Sequence, residues 1–444
     1  MMEKLLHYVW KHRLFPLQPL RTEDGQPVEV IDTGRSNMHA GPDFTGAKVR
    51  IGDMLWAGNV EIHVRASDWM RHGHDTDRAY DTVILHVVSV IDAHPVRTDG
   101  SSIPQLALPY PDGLKEKYEE LMRTDRFPPC YSIIRKLPLM LVHSWLTALG
   151  QERFAEKTSQ TAGLLSLYCG DWERALFVSL SRSFGFGVNG DAFEKWAKSV
   201  PLHAVGKHRD SLFQIEAIFF GMSGLLDPSE AGDEYSQGLA REFAYLRHKF
   251  SLDDIPDCQW RFLRLRPGNF PHVRIAQLAS LYHASPLLMS AVREAEDLKT
   301  MRSLFSRGTS EYWMTHCSFG KPTPRRGRSL SRSSVDSIII NTVLPMLFAY
   351  GTHYGNECLR TRALTLLEEM KPEDNHILRL WGECGLEAQN AADSQALIQL
   401  KKNYCDTRKC LYCRFGYEYF KNAPYRCSEV EAADGDKSGQ TFPD

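Results

Sequence analysis

Two neighbouring stretches, Gly41-Pro42-Asp43-Phe44 and Asn59-Val60-Glu61-Ile62-His63-Val64-Arg65, decide how the N-terminal part of the chain folds. In the second, three apolar residues alternate with Glu61, His63 and Arg65, and this period of two is typical of a half-buried strand. Asp43 follows a Gly-Pro turn at the start of another extended run, so pairing of the two strands would bring its carboxylate beside Glu61. Because Mg²⁺ and Mn²⁺ prefer oxygen ligands, this pair predicts a site for one of these ions.

The flanking segments predict an α+β arrangement. An amphipathic helix is expected from Glu3 to about Leu14, followed by strands at 28–32, 44–51 and 55–65, a helix starting near Ser67 and a buried strand at 82–90. The predicted order is helix, three strands, helix, strand.

That order, with Pro42-Asp43 entering one strand and Glu61-x-His63 in the next, resembles the core of the PD-(D/E)xK superfamily of Mg²⁺-dependent nucleases. In that superfamily the Asp and Glu bind the metal, and a Lys two residues after the Glu helps to position or activate the attacking water. The resemblance implies a restriction-endonuclease-like αβββαβ core in which Asp43 and Glu61 bind metal and His63 stands in the Lys position. A histidine there could ligate metal or act as general base, but it carries no permanent positive charge.

The whole chain also resembles a bacterial family known only as a domain of unknown function. The runs that carry this second resemblance are 260–271, which reads WRFLRLRPGNFP, and 341–345, which reads NTVLP. This resemblance implies no activity.

Further histidines lie close to this core in the sequence. His72 and His74, with Asp75 and Asp77, could be metal ligands, substrate contacts or parts of a hydrophilic surface loop. His86 is interpreted as a satisfied core histidine, although it would lie near Glu61 if their strands are neighbours.

The sequence changes character after about residue 110, and segments with helical periodicity follow one another from about residue 137. We therefore expect a nuclease-like domain at 1–125 and a helical domain at 126–400. A cysteine-rich element at 401–427 and a disordered, acidic tail at 428–444 complete the predicted organisation.

Basic residues suggest where a nucleic acid could bind. The chain has a formal charge of −2, which excludes a strongly basic, dedicated nucleic-acid binder. Between residues 260 and 274, however, arginines alternate with aromatic residues, a composition suited to phosphates and exposed bases. The candidate substrate-binding residues are Arg65, Arg261, Arg264, Arg266 and Arg274. The alternative for the 261–274 stretch is a helix end whose arginines pair with acidic neighbours.

The last cysteines form a cluster, Cys405-x4-Cys410-x2-Cys413 followed by Cys427. Closely spaced thiolates suit Zn²⁺ or an iron-sulfur cluster, whereas the alternative is a set of reduced structural thiols. Some PD-(D/E)xK nucleases hold an iron-sulfur cluster with one Cys before the nuclease motif and three after it. Here the first cysteine is Cys130, so that arrangement is not matched.

The sequence therefore predicts a metal-dependent nuclease acting on DNA or RNA. Asp43 and Glu61 would hold Mg²⁺ or Mn²⁺, His63 would position or deprotonate water, and Arg65 could stabilise developing charge. One rival is a catalytically inactive nuclease-like scaffold that binds nucleic acid or protein, and another is a metalloenzyme of different chemistry that uses His63, His72 and His74. With no signal peptide and no apolar run near the roughly 20 residues that cross a bilayer, a cytoplasmic protein without membrane contact is expected.

Overall fold

The computed structural model describes residues 2–15, 19–37, 39–226, 233–252 and 255–421. Two compact units are present: the first joins Met1–Leu141 with Lys401–Asp444, and the second is Val142–Leu400. The cysteine-rich segment, expected to be an element of its own, thus groups with the N-terminal unit. Cys427 and the tail at 428–444 lie outside the described residues.

The first unit contains one seven-stranded mixed sheet. Its strands are β1 Leu20–Arg21, β2 Pro27–Asp32, β3 Arg35–Ser36, β4 Phe44–Ile51, β5 Met54–Arg65, β6 Val83–Val90 and β7 Gln105–Ala107. The helices of its N-terminal segment are α1 Met2–Lys11, α2 Asp68–Arg71, α3 Asp112–Arg123 and α4 Tyr131–Ile134. The predicted order of helix, three strands, helix and strand is present, and the short strands β1, β3 and β7 were not predicted.

The strand order is β1-β2-β4-β5-β6-β7, with β3 paired to β4. Strands β2, β4 and β5 are antiparallel neighbours, whereas β5 and β6 are parallel, as are β6 and β7. Parallel neighbours need a crossover connection, and the segment containing α2 supplies it between β5 and β6. In this register Phe44 pairs with Val60, and Glu61 pairs with His86.

Burial along β5 differs from the prediction of a half-buried strand, which was wrong for its C-terminal half. All four residues from Val60 to His63 are buried, including Glu61 and His63, whose exposed fractions are 5% and 2%. The polar face is covered because Trp69, His72 and His74, from the crossover after β5, pack over it. The carboxylate and the imidazole are thereby held in an enclosed site.

Gly58 lets β5 and β6 approach closely beside this site. A Cβ at Gly58 would lie 2.4 Å from Cγ2 of Ile84 and 2.9 Å from the carbonyl oxygen of Thr82. We expect Gly58→Ala to lower the free energy of unfolding by about 1–3 kcal/mol, the usual effect of overpacking. Gly150→Ala, which meets nothing within 4 Å, is the control in urea denaturation, and equal midpoints for the two variants would contradict the expectation.

The second unit is helical. Its helices are α5 Leu139–Leu167, α6 Trp172–Phe184, α7 Gly190–Ser199, α8 Leu202–Lys207, α9 Leu212–Ser223, α10 Glu234–Phe250, α11 Pro271–Ala284, α12 Leu288–Glu294, α13 Leu298–Phe305, α14 Glu311–Thr315, α15 Arg332–Ile338, α16 Leu344–His353, α17 Glu357–Glu369, α18 His376–Glu383 and α19 Ala391–Gln399. The π-helical segments Ile339–Val343 and Leu400–Cys405 follow α15 and α19. The chain enters the first unit again at Lys401, within the second of these segments, and α20 is Arg414–Lys421.

Helix α5 joins two helices that the sequence predicts separately, at 140–148 and 152–167. Glycine lowers helix stability by only about 1 kcal/mol, and the helix continues through Gly150 because apolar residues on both sides of it, including Leu149 and Phe154, are buried.

The continuous helical stretch Arg332–His353 is long and apolar enough to cross a bilayer. However, 67% of its most apolar part is buried inside the protein, and core helices can have the same length and composition.

Candidate metal centre

Two carboxylates meet where β4 and β5 pair. The backbone N–H of Asp43 donates to Oε2 of Glu61 at 3.0 Å, and the backbone N–H of Ile62 donates to Oδ2 of Asp43, also at 3.0 Å. The strand register of Phe44 and Val60 explains this arrangement, because Asp43 immediately precedes β4. The structure therefore brings Asp43 and Glu61 together, the former with a quarter of its side chain exposed and the latter buried.

Two imidazoles lie against the Glu61 carboxylate, and a third lies against one of them. Oε1 of Glu61 is 3.4 Å from Nε2 of His74 and 3.6 Å from Nε2 of His63. His63 Nε2 is also 3.1 Å from Nδ1 of His72. One ring nitrogen from each of the three histidines lies within 4.8 Å of the others, a grouping that could hold a metal ion.

A second layer of side chains fixes the orientation of these rings. Nδ1 of His63 is 2.9 Å from Nε2 of His86, the residue beside Glu61 on β6. The ring of His74 stacks on Tyr80 at a centroid distance of 3.7 Å, and Trp69 packs against both His74 and His86. Partners of this kind fix the tautomer and the direction of a ligating histidine.

Burial controls the charges in this site. Burial, together with the nearby charge of Asp43, raises the pKa of Glu61 to about 9. Burial also lowers the pKa of His63 to about 3, assisted by the other imidazoles, and that of His86 to about 4. Neutral imidazoles offer lone pairs, and a neighbouring cation would favour the ionised form of the buried Glu61 carboxyl group, so the site suits a positive ion.

The first helix supplies two further groups: His7, which the predicted site did not include, and Glu3, which the sequence offers only as a weaker candidate. His7 Nε2 lies 3.3 Å from Oδ2 of Asp43, and the charge of Glu3 contributes to the raised pKa of Glu61. Their spacing of four residues on an amphipathic helix places both on one face, a signal that was present in the sequence. Tyr80 had no comparable signal, because it lies in the crossover between β5 and β6.

The predicted arginines occupy different environments. Arg65 is exposed and its guanidinium lies 3.4 Å from Asp92, not beside Glu61. Arg261, Arg264 and Arg266 are exposed in the second unit. Arg274 is buried instead: its guanidinium donates to Asn269 and Gln277 and lies over the ring of Phe186, so it does not offer the exposed contact that was predicted.

Cys405 lies near enough to Cys410, Cys413 and Cys130 to be affected by their charges, and the predicted set of ligands did not include Cys130. Burial raises the pKa of Cys405 well above its usual value, and the thiols of Cys413, Cys130 and Cys410 contribute further. Arg408 helps to hold the segments together by donating to the carbonyl oxygens of Leu121 and Thr124. None of these four cysteines is in a disulfide, and Zn²⁺ or iron-sulfur binding by the cluster stays a prediction.

Comparison with known proteins gives a family but no activity. The family described as "Protein of unknown function (DUF2851)" matches residues 3–376. The chain belongs to this family. The resemblance to a family of unknown function is therefore confirmed, and the DUF2851 match includes every residue of the candidate metal centre but ends before Cys405. No curated protein and no solved structure matches the chain.

Proposed function

We propose that this protein is a metal-dependent hydrolase of nucleic-acid phosphodiesters whose active site is the Asp43–Glu61 pair with its imidazoles. The observation that carries the proposal is that two carboxylates meet where β4 and β5 pair, and that one of them, Glu61, lies against the buried imidazoles of His63 and His74. The element order α1, β2, β4, β5, α2, β6 is also compatible with the αβββαβ core of PD-(D/E)xK nucleases.

A divalent ion at this site would polarise the scissile phosphate and lower the pKa of a bound water. The protein itself supplies position and charge. Glu61 is fixed by the backbone N–H of Asp43, and Asp43 is fixed by the backbone N–H of Ile62. Asp43 keeps a quarter of its side chain exposed, so its carboxylate can orient a water molecule or accept its proton, with His7 at 3.3 Å to receive a hydrogen bond or a proton in turn.

No lysine is needed to activate water in this arrangement. His63 stands where the nuclease pattern has Lys, but its side chain is only 2% exposed and its ring nitrogens contact His72 and His86. A side chain so enclosed is better placed to bind a metal than to shuttle protons to solvent. The alternative that the experiment must distinguish from a nuclease is a catalytically inactive scaffold.

The test is cleavage of end-labelled single-stranded and duplex DNA and RNA with Mg²⁺, Mn²⁺ or Zn²⁺. We expect metal-dependent cleavage that Asp43→Asn lowers by about 10²-fold or more, the usual contribution of a positioned acid–base group. Glu29→Gln removes a carboxylate from an exposed position of the same sheet and should cleave like the wild type.

Absence of cleavage with every metal and substrate, in protein whose fold is intact, would favour the scaffold. Equal activity of Asp43→Asn and the wild type would show that cleavage occurs elsewhere.

A further inference from the structure

We propose that His63, His72, His74 and Glu61 form a binding site selective for a transition-metal ion of the Zn²⁺ class over Mg²⁺. The inference concerns the metal of the site in the proposed function and rests on that assignment for its catalytic meaning. Metal binding itself can be measured without any substrate, so the two proposals can fail separately.

The first argument is the spacing of the ligand atoms. Zn–N and Zn–O bonds are about 2.0–2.1 Å long, so two ligand atoms of a tetrahedral site lie roughly 3.3–3.4 Å apart. The contacts from Glu61 Oε1 to His74 Nε2 and His63 Nε2 are 3.4 and 3.6 Å, and His63 Nε2 lies 3.1 Å from His72 Nδ1. These three contacts are close to the separations that a single small ion would impose, and one ring nitrogen from each histidine lies within 4.8 Å of the others.

The second argument is the chemistry of these atoms. Three of the four donors are imidazole nitrogens, which suit Zn²⁺, Co²⁺, Ni²⁺, Cu²⁺ or Fe²⁺, whereas Mg²⁺ takes oxygen ligands and retains several waters. The second carboxylate is engaged differently, because Oδ2 of Asp43 accepts the backbone N–H of Ile62 and faces His7. One carboxylate and three imidazoles therefore form the inner set, and Asp43 lies at its edge.

The third argument comes from His63, whose two ring nitrogens both have close nitrogen neighbours. Its Nδ1 contacts His86 and its Nε2 contacts His72. If Nδ1–H donates to His86, the Nε2 lone pair of His63 is left facing the other ligand atoms, which is the state required of a metal ligand. His86 acts as a positioning residue, the outer partner that is usual for ligating histidines.

The site also has an open side. His63 and His74 are buried, whereas His72 is exposed. An ion held by the two buried imidazoles and Glu61 can thus be reached from solvent next to His72. The exposure of His72 also makes it the ligand whose replacement least disturbs folding.

The experiment starts from chelated, metal-free full-length protein, titrated separately with Zn²⁺, Co²⁺ and Mg²⁺ by calorimetry, with absorption spectra for Co²⁺. We expect one equivalent of Zn²⁺ to bind at least about 100-fold more tightly than Mg²⁺ and to be weakened at least about tenfold by His72→Ala. His94→Ala, which replaces another exposed histidine of the same unit, should bind like the wild type.

The Co²⁺ spectrum separates this site from the cysteines. Nitrogen and oxygen ligands give visible bands without the thiolate charge-transfer absorption that a cysteine site gives. At limiting Co²⁺, His72→Ala should weaken only the visible bands of the histidine site. If Mg²⁺ binds as tightly as Zn²⁺, or if His72→Ala and His63→Ala both leave Zn²⁺ binding and the Co²⁺ spectrum unchanged, the inference is overturned. Zn²⁺ binding without any cleavage would instead count against the proposed function alone.

Discussion

Replacing Glu61 with glutamine is expected to lower metal-dependent cleavage by at least about 10³-fold, because a bound metal contributes several kcal/mol of transition-state stabilisation. Glu61 contacts both Asp43 and the imidazoles of the site. Its Oε2 accepts the backbone N–H of Asp43, and its Oε1 lies within 3.6 Å of His63 and His74. An amide is nearly isosteric with the carboxylate but brings no negative charge to the ion.

The same variant should lose the thermal stabilisation that metal gives the wild type. A ligand at about 1,000 times its Kd stabilises the folded state by about 4 kcal/mol, and Glu61→Gln should show little of this gain on addition of Zn²⁺. Differential scanning calorimetry with and without metal measures it, and Glu29→Gln is the matched control. Undiminished cleavage by Glu61→Gln would remove the carboxylate pair from the mechanism.

Glu216→Gln is expected to make the protein more stable at alkaline pH by about 3 kcal/mol, since a pKa shift of one unit corresponds to 1.36 kcal/mol. Glu216 lies on α9 and is completely buried, and burial raises its pKa to about 7 from an ordinary value of 4.5. Because the folded state holds the proton more tightly, this contribution to stability is complete below about pH 4.5 and is lost as the pH rises to about 7. Ser310 and Tyr235 donate to its carboxylate but only partly offset the effect of burial.

The measurement is urea denaturation of the wild type and Glu216→Gln at several pH values. The two should converge near pH 5 and separate between pH 5 and 8, whereas Glu296→Gln, at an exposed position, should follow the wild type throughout. A constant difference between Glu216→Gln and the wild type at all pH values would mean that the gain does not come from titration of Glu216.

Local patterns were sufficient to predict the strands that carry the site. The apolar run of β6 and the alternation in β5 can each be recognised within a short segment of sequence. Pairing of β4 with β5 then places Asp43 beside Glu61. The burial of Glu61 and His63 could not be predicted this way, because their cover comes from His72 and His74 in the crossover. The path of that segment depends on the tertiary packing of Trp69 and Tyr80, not on its own composition.

Contacts between distant parts of the chain were even harder to predict from local sequence patterns. Cys130 is separated from Cys405 by the whole second unit, and no spacing rule connects the two. The close spacing of Cys410 and Cys413 instead led to the prediction that Cys427, the next cysteine in sequence, is the fourth ligand. Sequence proximity was a poor guide here, because the fold returns the chain to the N-terminal unit before Cys405.

That return has a consequence for synthesis on the ribosome. The first unit is discontinuous: α3 receives contacts from the far end of the chain, where Lys117 donates to the carbonyl oxygen of Tyr419 and Glu120 accepts the hydroxyl of Tyr419. Roughly 260 residues are made between the two parts of this unit, which takes tens of seconds at roughly 5–20 residues per second. The first unit, with the sheet that carries Asp43 and Glu61, therefore lacks the contacts of α20 with α3 until the entire helical unit has been synthesised.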